Sequence, residues 1–349
     1  VDDTRVYTTG QFAGTTDFDA GDGSFPLTSN PGGAQQDGYI AAYERADGAF
    51  AWAGAISGNN LEKGTSIATD GERVYVGGFF SSTVDFDPGA GMTERTVVGG
   101  DVFDPFVAAY TASGGEFVWV NAMTSTAPGS GSEETAAVAV IGSRVYAVGR
   151  IAGTADFEDG PGVSEASALG FDDAFFASYN VETGAFADVN MIGGPSNERS
   201  LGVTVSPDDV IVVGAFATRA PGQTVDFDPG PGETPLTSNG DLDAFVAAYS
   251  LPDGVPTEPL APEAAARLSV WPNPSASGAT VRLETAASGS AEVVLLDALG
   301  RRVATLFSGA ALAGQTVEAA LPPALAPGLY LVRATTPEAT VSRAVTVMR

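Results

Sequence analysis

Val74-Tyr75-Val76-Gly77-Gly78, then Asp85-Phe86-Asp87-Pro88-Gly89-Ala90-Gly91, then Asp104-Pro105-Phe106-Val107-Ala108-Ala109-Tyr110: these three phrases recur, with small changes, four times in 349 residues. The Asp-Phe-acidic element stands at Asp17-Phe18-Asp19, Asp85-Phe86-Asp87, Asp156-Phe157-Glu158 and Asp226-Phe227-Asp228, at spacings of 68, 71 and 70 residues. Each copy follows an apolar run rich in Val and Tyr and precedes an Asp-aromatic-Ala run ending in Tyr43, Tyr110, Tyr179 or Tyr249. Self-similarity at so long a period signals units that cannot bury their apolar face until neighbours stack on them.

The second copy reads as strands. Ser66 to Thr69, Arg73 to Phe80, Phe106 to Thr111 and Glu116 to Met123 are rich in Val, Tyr, Phe and Trp and are bounded by Gly and Asp, which favours strands over helices. Four antiparallel strands per repeated unit is the plan of a propeller blade. The fold expected is all-β, with residues 1–250 forming about three and a half four-stranded blades of a β-propeller: 1–56, 63–123, 135–192 and 200–250. Val1 aligns partway into a repeat's opening, so earlier blades are expected upstream.

Ser250 to Ala266 carries Pro252, Pro256, Pro259 and Pro262 among small and acidic residues, and 251–266 reads as a semi-stiff linker. From 267 to 349 the pattern changes to seven short runs: Arg267 to Trp271, Thr280 to Glu284, Ala291 to Leu296, Arg302 to Leu306, Thr316 to Leu321, Leu329 to Ala334 and Val341 to Met348. Such spacing suits a small Ig-like β-sandwich.

Composition narrows the chemistry. The chain has neither Cys nor His, which removes thiol chemistry, disulfides, Cys/His zinc sites and imidazole-based triads. Its net charge of −27 is uneven: residues 1–262 hold 37 acidic against 9 basic residues, and 263–349 hold 6 against 7. Phosphate repulsion disfavours a nucleic-acid partner. No run of about 18 apolar residues offers a transmembrane helix.

The Asp-x-Asp-x-Gly-x-Gly phrase supplies the candidate metal ligands: Asp17, Asp19, Asp85, Asp87, Asp156, Glu158, Asp226 and Asp228. Alternate residues of an extended chain share a face, so each pair can present its oxygens together while the intervening Phe packs inward. Ca2+ is the cation such oxygens suit, and it needs six to eight of them; Asp37, Asp101, Asp104, Asp172, Asp173, Asp241 and Asp243 lie close enough in sequence to add to the shell. The same Asp and Gly residues also favour turns, and both readings stay open. Paired carboxylates invite a glycoside-hydrolase reading as well, against which stands their repetition in every unit. Lys63 with Ser66 reads as a loop residue rather than a dyad, Trp52 and Trp119 as core aromatics, and Gly77-Gly78 lacks the helix a phosphate loop requires.

The repeats resemble the bacterial β-propeller repeat family known as SBBP, on Val74-Tyr75-Val76-Gly77-Gly78, Asp85-Phe86, Asp104-Pro105-Phe106-Val107-Ala108 and Gly115 to Trp119. The third copy departs, with Phe186-Ala187-Asp188 where a Trp is expected. The C-terminal segment resembles the sorting domain of the type IX secretion system of Bacteroidetes-like bacteria. That likeness rests on Trp271-Pro272-Asn273-Pro274, on Val293 to Val303 with Asp297 and Gly300 in its turn, on Leu325 to Val332 with Gly328 and Tyr330, and on a basic-apolar end at Arg349. It implies export to the extracellular space or the outer-membrane surface, with a type IX translocon and sortase as partners. The function expected is a secreted or surface-displayed binding or adhesion protein for an unidentified glycan or protein. The alternatives are a calcium-dependent carbohydrate-active enzyme or a non-catalytic structural stalk.

Overall fold

The computed structural model describes all residues except 31–35, 99–102, 126–132, 207, 219–222, 231, 240–241, 251–265, 272–278, 286–287, 298–300, 313–315, 323–324, 327, 338–339 and 348–349. The protein is all-β, with antiparallel ladders throughout and no helix among the described residues. It divides into two compact units, Val1–Thr257 and Glu258–Arg349.

The first unit is a series of similar sheets. The second sheet shows the plan in full: Glu62–Thr69, Arg73–Phe80, Asp104–Thr111 and Phe117–Ala122 pair in chain order as a meander. Its first strand starts four residues before the expected Ser66, because a bulge between Gly64 and Ser66 carries the ladder on to Glu62. Lys63 therefore sits in a strand, paired with Phe79, and not in a loop. The first sheet has Arg5–Phe12, Asp37–Glu44 and Phe50–Gly58; the third has Glu134–Ile141, Arg144–Asp156, Glu165–Asn180 and Phe186–Ile192; the fourth has Arg199–Val205, Asp209–Phe216 and Asp243–Ser250.

Successive sheets are joined in three ways. The opening strands touch: Glu62–Thr69 lies against Arg5–Phe12 and Glu134–Ile141, and Glu134–Ile141 against Arg199–Val205. There the Thr65 hydroxyl donates to the Thr135 carbonyl, and Val138 N–H donates to Ser66 Oγ at 3.1 Å.

At the turn between third and fourth strands, a tryptophan couples each sheet to the next. Trp52 donates its indole N–H to the Ala112 carbonyl at 3.1 Å, and Trp119 to the Val181 carbonyl at 3.0 Å. Each ring lies on a glycine of that turn, Gly115 or Gly184, with φ of 74° and 69°. A Cβ on either glycine would stand 2.6 Å from the ring, so close approach and positive φ both require Gly. Asp188 holds the tryptophan's position in the third sheet and is exposed. The joint to the fourth sheet instead carries a Phe176–Tyr249 stack with centroids 4.4 Å apart.

The third device is the repeated Asp-Phe-acidic element. It pairs across its own hairpin and also back to the end of the preceding sheet's last strand or just beyond it: Asp85 faces Glu94 and Ser57, Asp156 faces Glu165 and Thr124, and Asp226 faces Pro235 and bridges to Gly193. The phrase is a clasp between copies. Its phenylalanine is buried in every copy, and Phe86 meets Phe80 and Phe106 edge-on at 5.4 and 4.9 Å, as Phe227 meets Phe216 and Phe245 at 5.3 and 5.0 Å.

The second unit contains seven strands close to the seven expected: Ala266–Trp271, Thr280–Thr285, Gly289–Asp297, Arg302–Ala311, Thr316–Ala320, Gly328–Thr335 and Thr340–Val347. They form one sheet of three strands and one of four. Leu268, Val281 and Leu283 from the first share a core with Val293, Leu295, Val332 and Val345 from the second.

Truncating Phe86 to Ala is expected to destabilise the first unit by about 3 to 5 kcal/mol, the usual result of emptying a buried aromatic site. Phe25→Ala, at an exposed hairpin position, is expected to stay within about 0.5 kcal/mol. Denaturant unfolding of the two variants checks the contrast.

Candidate functional site

The candidate residues of the repeats lie where the second strand passes into the third through the clasp hairpin. The first carboxylate of each hairpin binds its own loop. Asp85 Oδ1 accepts the N–H of Asp87 at 3.0 Å and of Thr93 at 2.8 Å. Asp17, Asp156 and Asp226 make the same two contacts, to Asp19 and Phe25, Glu158 and Ser164, and Asp228 and Thr234, at 2.8 to 3.1 Å. The Phe25 N–H, then the Ser24 hydroxyl and Asp19 N–H, hold the Asp17 carboxyl below its ordinary range.

The second carboxylate closes the tip. Asp19, Asp87 and Asp228 each accept an N–H two residues on, from Gly21, Gly89 and Gly230, at 2.8 to 2.9 Å, whereas Glu158 takes the Ser164 hydroxyl at 2.9 Å. The eight candidate ligands are thus brought together two by two, within a hairpin, with one oxygen of each tied to a backbone or hydroxyl donor. No group of three acidic, His or Cys side chains suited to a metal occurs among the described residues. The geometry fits a capped turn, and a Ca2+ shell there would need most of its oxygens from main chain and water. Asp101 and Asp241 lie outside the described residues.

A second acidic arrangement lies deeper. Asp37 and Asp104 open the third strands of the first two sheets, Asp173 holds the same repeat position within Glu165–Asn180, and all three are buried. Glu62, Glu133 and Glu198, just before or at the start of the next sheet's first strand, are buried too. Parallel bridges Gln36 to Leu61 and Asp172 to Asn197 set the segments side by side, and the N–H of Glu62 and Glu198 donate to the carbonyls of Gln36 and Asp172 at 2.9 and 2.7 Å.

Each carboxyl of the third pair has a backbone donor on its outer side. Asp173 Oδ2 accepts Leu169 N–H at 2.6 Å, and Glu198 Oε2 accepts Gly194 N–H at 2.9 Å. In the other joints Asn30 donates to Asp37 at 3.2 Å, Val98 to Asp104 at 3.3 Å and Ala152 to Glu133 at 3.1 Å. Neither oxygen of Glu62, and not Oδ1 of Asp37, makes a hydrogen bond of good geometry. The backbone N–H groups of Gly58, Asn60 and Ser81 favour the charged form of Glu62 and offset part of the cost of burial.

Burial, then the charge of Asp37, pushes the Glu62 carboxyl up to about 8. Burial, then the charge of and hydrogen bond to Asp173, pushes Glu198 up to about 8, and burial lifts Asp173 to about 6. Two carboxyls so placed favour a protonated glutamate at neutral pH, because both cannot ionise cheaply out of water. Arg150, the nearest cation at the third joint, pairs instead with Glu134 at 3.3 Å and Asp172 at 3.7 Å. These carboxyls are closed off from solvent inside the joints between sheets. The three glutamates were absent from the sequence expectation; their signal is a constant offset of twelve residues before Val74, Val145 and Val210.

The outer surface of the same hairpins is apolar in patches. Phe25, Met92, Val163, Leu169, Phe171 and Leu242 are exposed there, and Arg95 of one hairpin binds Asp159 of the next at 2.6 Å, so neighbouring hairpins stand in a row.

Of the C-terminal motif residues, Asp297 caps its turn by accepting Arg301 N–H at 2.9 Å and pairs with the Arg301 guanidinium at 2.7 Å. Gly328 opens a strand opposite Val347, and the Tyr330 hydroxyl donates to the Ala326 carbonyl at 2.9 Å. Pro272, Asn273, Pro274 and Gly300 lie outside the described residues.

A glutamate whose folded pKa is raised from 4.5 to about 8 contributes stability that is complete below pH 4.5 and is lost as pH rises through 8. The melting temperature is therefore expected to fall between pH 5 and pH 8.5. Glu62→Gln and Glu198→Gln are each expected to flatten that slope, which circular dichroism melts across the range will measure.

No family model and no curated protein matches the chain. A solved structure, dimeric latent PorU from Porphyromonas gingivalis, matches at 13% identity over 90% of this chain and 31% of its own, with a TM-score of 0.21. This chain thus spans under a third of that protein, and at such a TM-score the likeness carries no argument.

Proposed function

We propose that the four repeated sheets are blades of a β-propeller and that the protein is a secreted or surface-displayed binding module, engaging a glycan or protein through the row of clasp hairpins. The blade reading is supported by meandering sheets, two of them with four strands among the described residues, whose opening strands touch in succession, the arrangement of strands around a propeller's central channel. The binding reading rests on one observation above all: the exposed large apolar residues Met92, Leu169 and Phe171 stand among acidic side chains on hairpins that the clasp and buried pairs hold rigidly. Apolar groups kept in water on a rigid frame are the usual form of a recognition surface.

The C-terminal unit, on this reading, is an Ig-like sandwich that serves as a type IX sorting domain for the translocon and sortase. Its support is the motif set around Trp271, Asp297, Gly328 and Tyr330, of which Asp297 ends one strand and Gly328 begins another. Fold alone does not name a ligand.

Glycan and surface-protein arrays probed with the purified chain are expected to yield a ligand whose affinity drops at least roughly tenfold when Met92, Leu169 and Phe171 are all changed to Ser, with the melting temperature little altered. Equal binding by that variant would overturn the rim as the site. A reporter fused to residues 267–349 is expected at the surface of a type IX-competent bacterium, and retention in the periplasm would overturn the export reading.

A further inference from the structure

The fourth sheet ends in Asp243–Ser250, paired on one side with Asp209–Phe216 and with no partner on the other among the described residues. In the three earlier sheets that same edge is covered by Phe50–Gly58, Phe117–Ala122 and Phe186–Ile192. The contrast in burial is sharp. At one repeat position Ile40, Val107 and Phe176 are 0%, 0% and 6% exposed beneath the sheet that follows theirs, and their counterpart Val246, on a sheet with no following sheet among the described residues, is 76% exposed. Two residues on, Ala42 and Ala109 are buried while Ala248 is exposed.

Along the open edge runs a slot of about 530 Å³, lined by Phe227, Leu236, Ala244, Val246, Ala248 and Tyr249. It is an aromatic-floored groove beside a free row of backbone donors and acceptors. The chain's own continuation is badly suited to fill it, since Pro252, Pro256, Pro259 and Pro262 lack the N–H a ladder strand must supply.

We propose that this slot is a docking site for an extended apolar peptide segment supplied by another molecule, which adds an antiparallel strand to Asp243–Ser250. The occupant's chemistry follows from the interface the other three sheets already make at this edge. There an aromatic on the added strand meets the terminal Tyr of the third strand: Tyr43 with Phe50, Tyr110 with Phe117 and Tyr179 with Phe186, with centroids 6.1, 6.1 and 6.2 Å apart. Two residues on, Trp52 pairs with Ala42 and Trp119 with Ala109. The segment that fits is therefore aromatic, any residue, aromatic, then small or aliphatic residues, with Ala248 opposite the second ring. Main-chain bonds give such a strand its affinity and the alternate side chains its selectivity. Asp228 at the mouth and the acidic balance of residues 1–262 favour basic over acidic flanks. The site stands on the repeat geometry and is separate from the hairpin rim.

The probe is a labelled synthetic peptide of residues 117–123 with two lysines appended, titrated into the full chain and read by fluorescence anisotropy. Saturable one-to-one binding is expected, with a scrambled peptide inert and with Val246→Asp and Ala248→Arg each weakening it at least roughly tenfold. Both variants change exposed side chains, so unchanged melting shows that folding is intact. Binding that is absent, equal for the scrambled peptide, or equal in both variants overturns the proposal. If light scattering shows self-association, its dissolution by the peptide supports the slot, and self-association that keeps the peptide from binding overturns the proposal in favour of a second copy as occupant. The Met92, Leu169 and Phe171 to Ser variant is expected to keep full peptide binding, which separates this result from the rim.

Discussion

A sheet of this chain cannot bury both its faces alone, and the contact between one sheet and the next is the constraint on which the first unit rests. Each face carries large side chains, Phe80, Phe86 and Phe106 toward one neighbour and Tyr75, Val107 and Trp119 toward the other. Burial of such rings contributes on the order of 1.5 to 3 kcal/mol apiece, and none of it is realised until the neighbour is in place. The joint is reinforced at both ends: tryptophan on a glycine turn at one, clasp strand and buried carboxyl pair at the other. Every element of the repeat thus serves two sheets at once.

The carboxyl pairs show that polar burial in this unit is organised and not accidental. A lone ionised carboxylate in such a place would be costly. Two of them, set face to face with main-chain N–H groups on their outer oxygens, turn that cost into a dependence on one proton. The pair also ties register, because Asp173 and Glu198 meet only when Asp172 and Asn197 are bridged as observed. The acidity of the unit therefore has two origins. Exposed acids keep a strongly negative surface, and a buried minority belongs to the joints.

Much of this was readable from residues. The repeat, the all-β class, the strand runs of both units and the inward packing of the Asp-Phe-Asp phenylalanine follow from alternation, turn residues and period. The role of the aspartates was not separable: Asp17 or Asp85 as a loop cap and as a cation ligand calls for the same residue at the same spacing, and the N–H contacts of Phe25 and Thr93 show the capping role alone. Glu62, Glu133 and Glu198 escaped notice because each precedes a charged residue, Lys63, Glu134 or Arg199, and reads as part of a solvated turn. That the Asp85 strand belongs to the preceding sheet could not be read at all, since pairing between copies is decided by topology and not by local pattern.

The clasp always reaches backward, from each copy to the one before it. A chain made or threaded from its N-terminus would leave every finished sheet with a raw outer margin until the following copy arrived to seal it. Exposed sheet margins recruit strays, so the interval between successive copies is when such a chain is most open to entanglement with its neighbours. Growth and protection are thereby locked into the same direction.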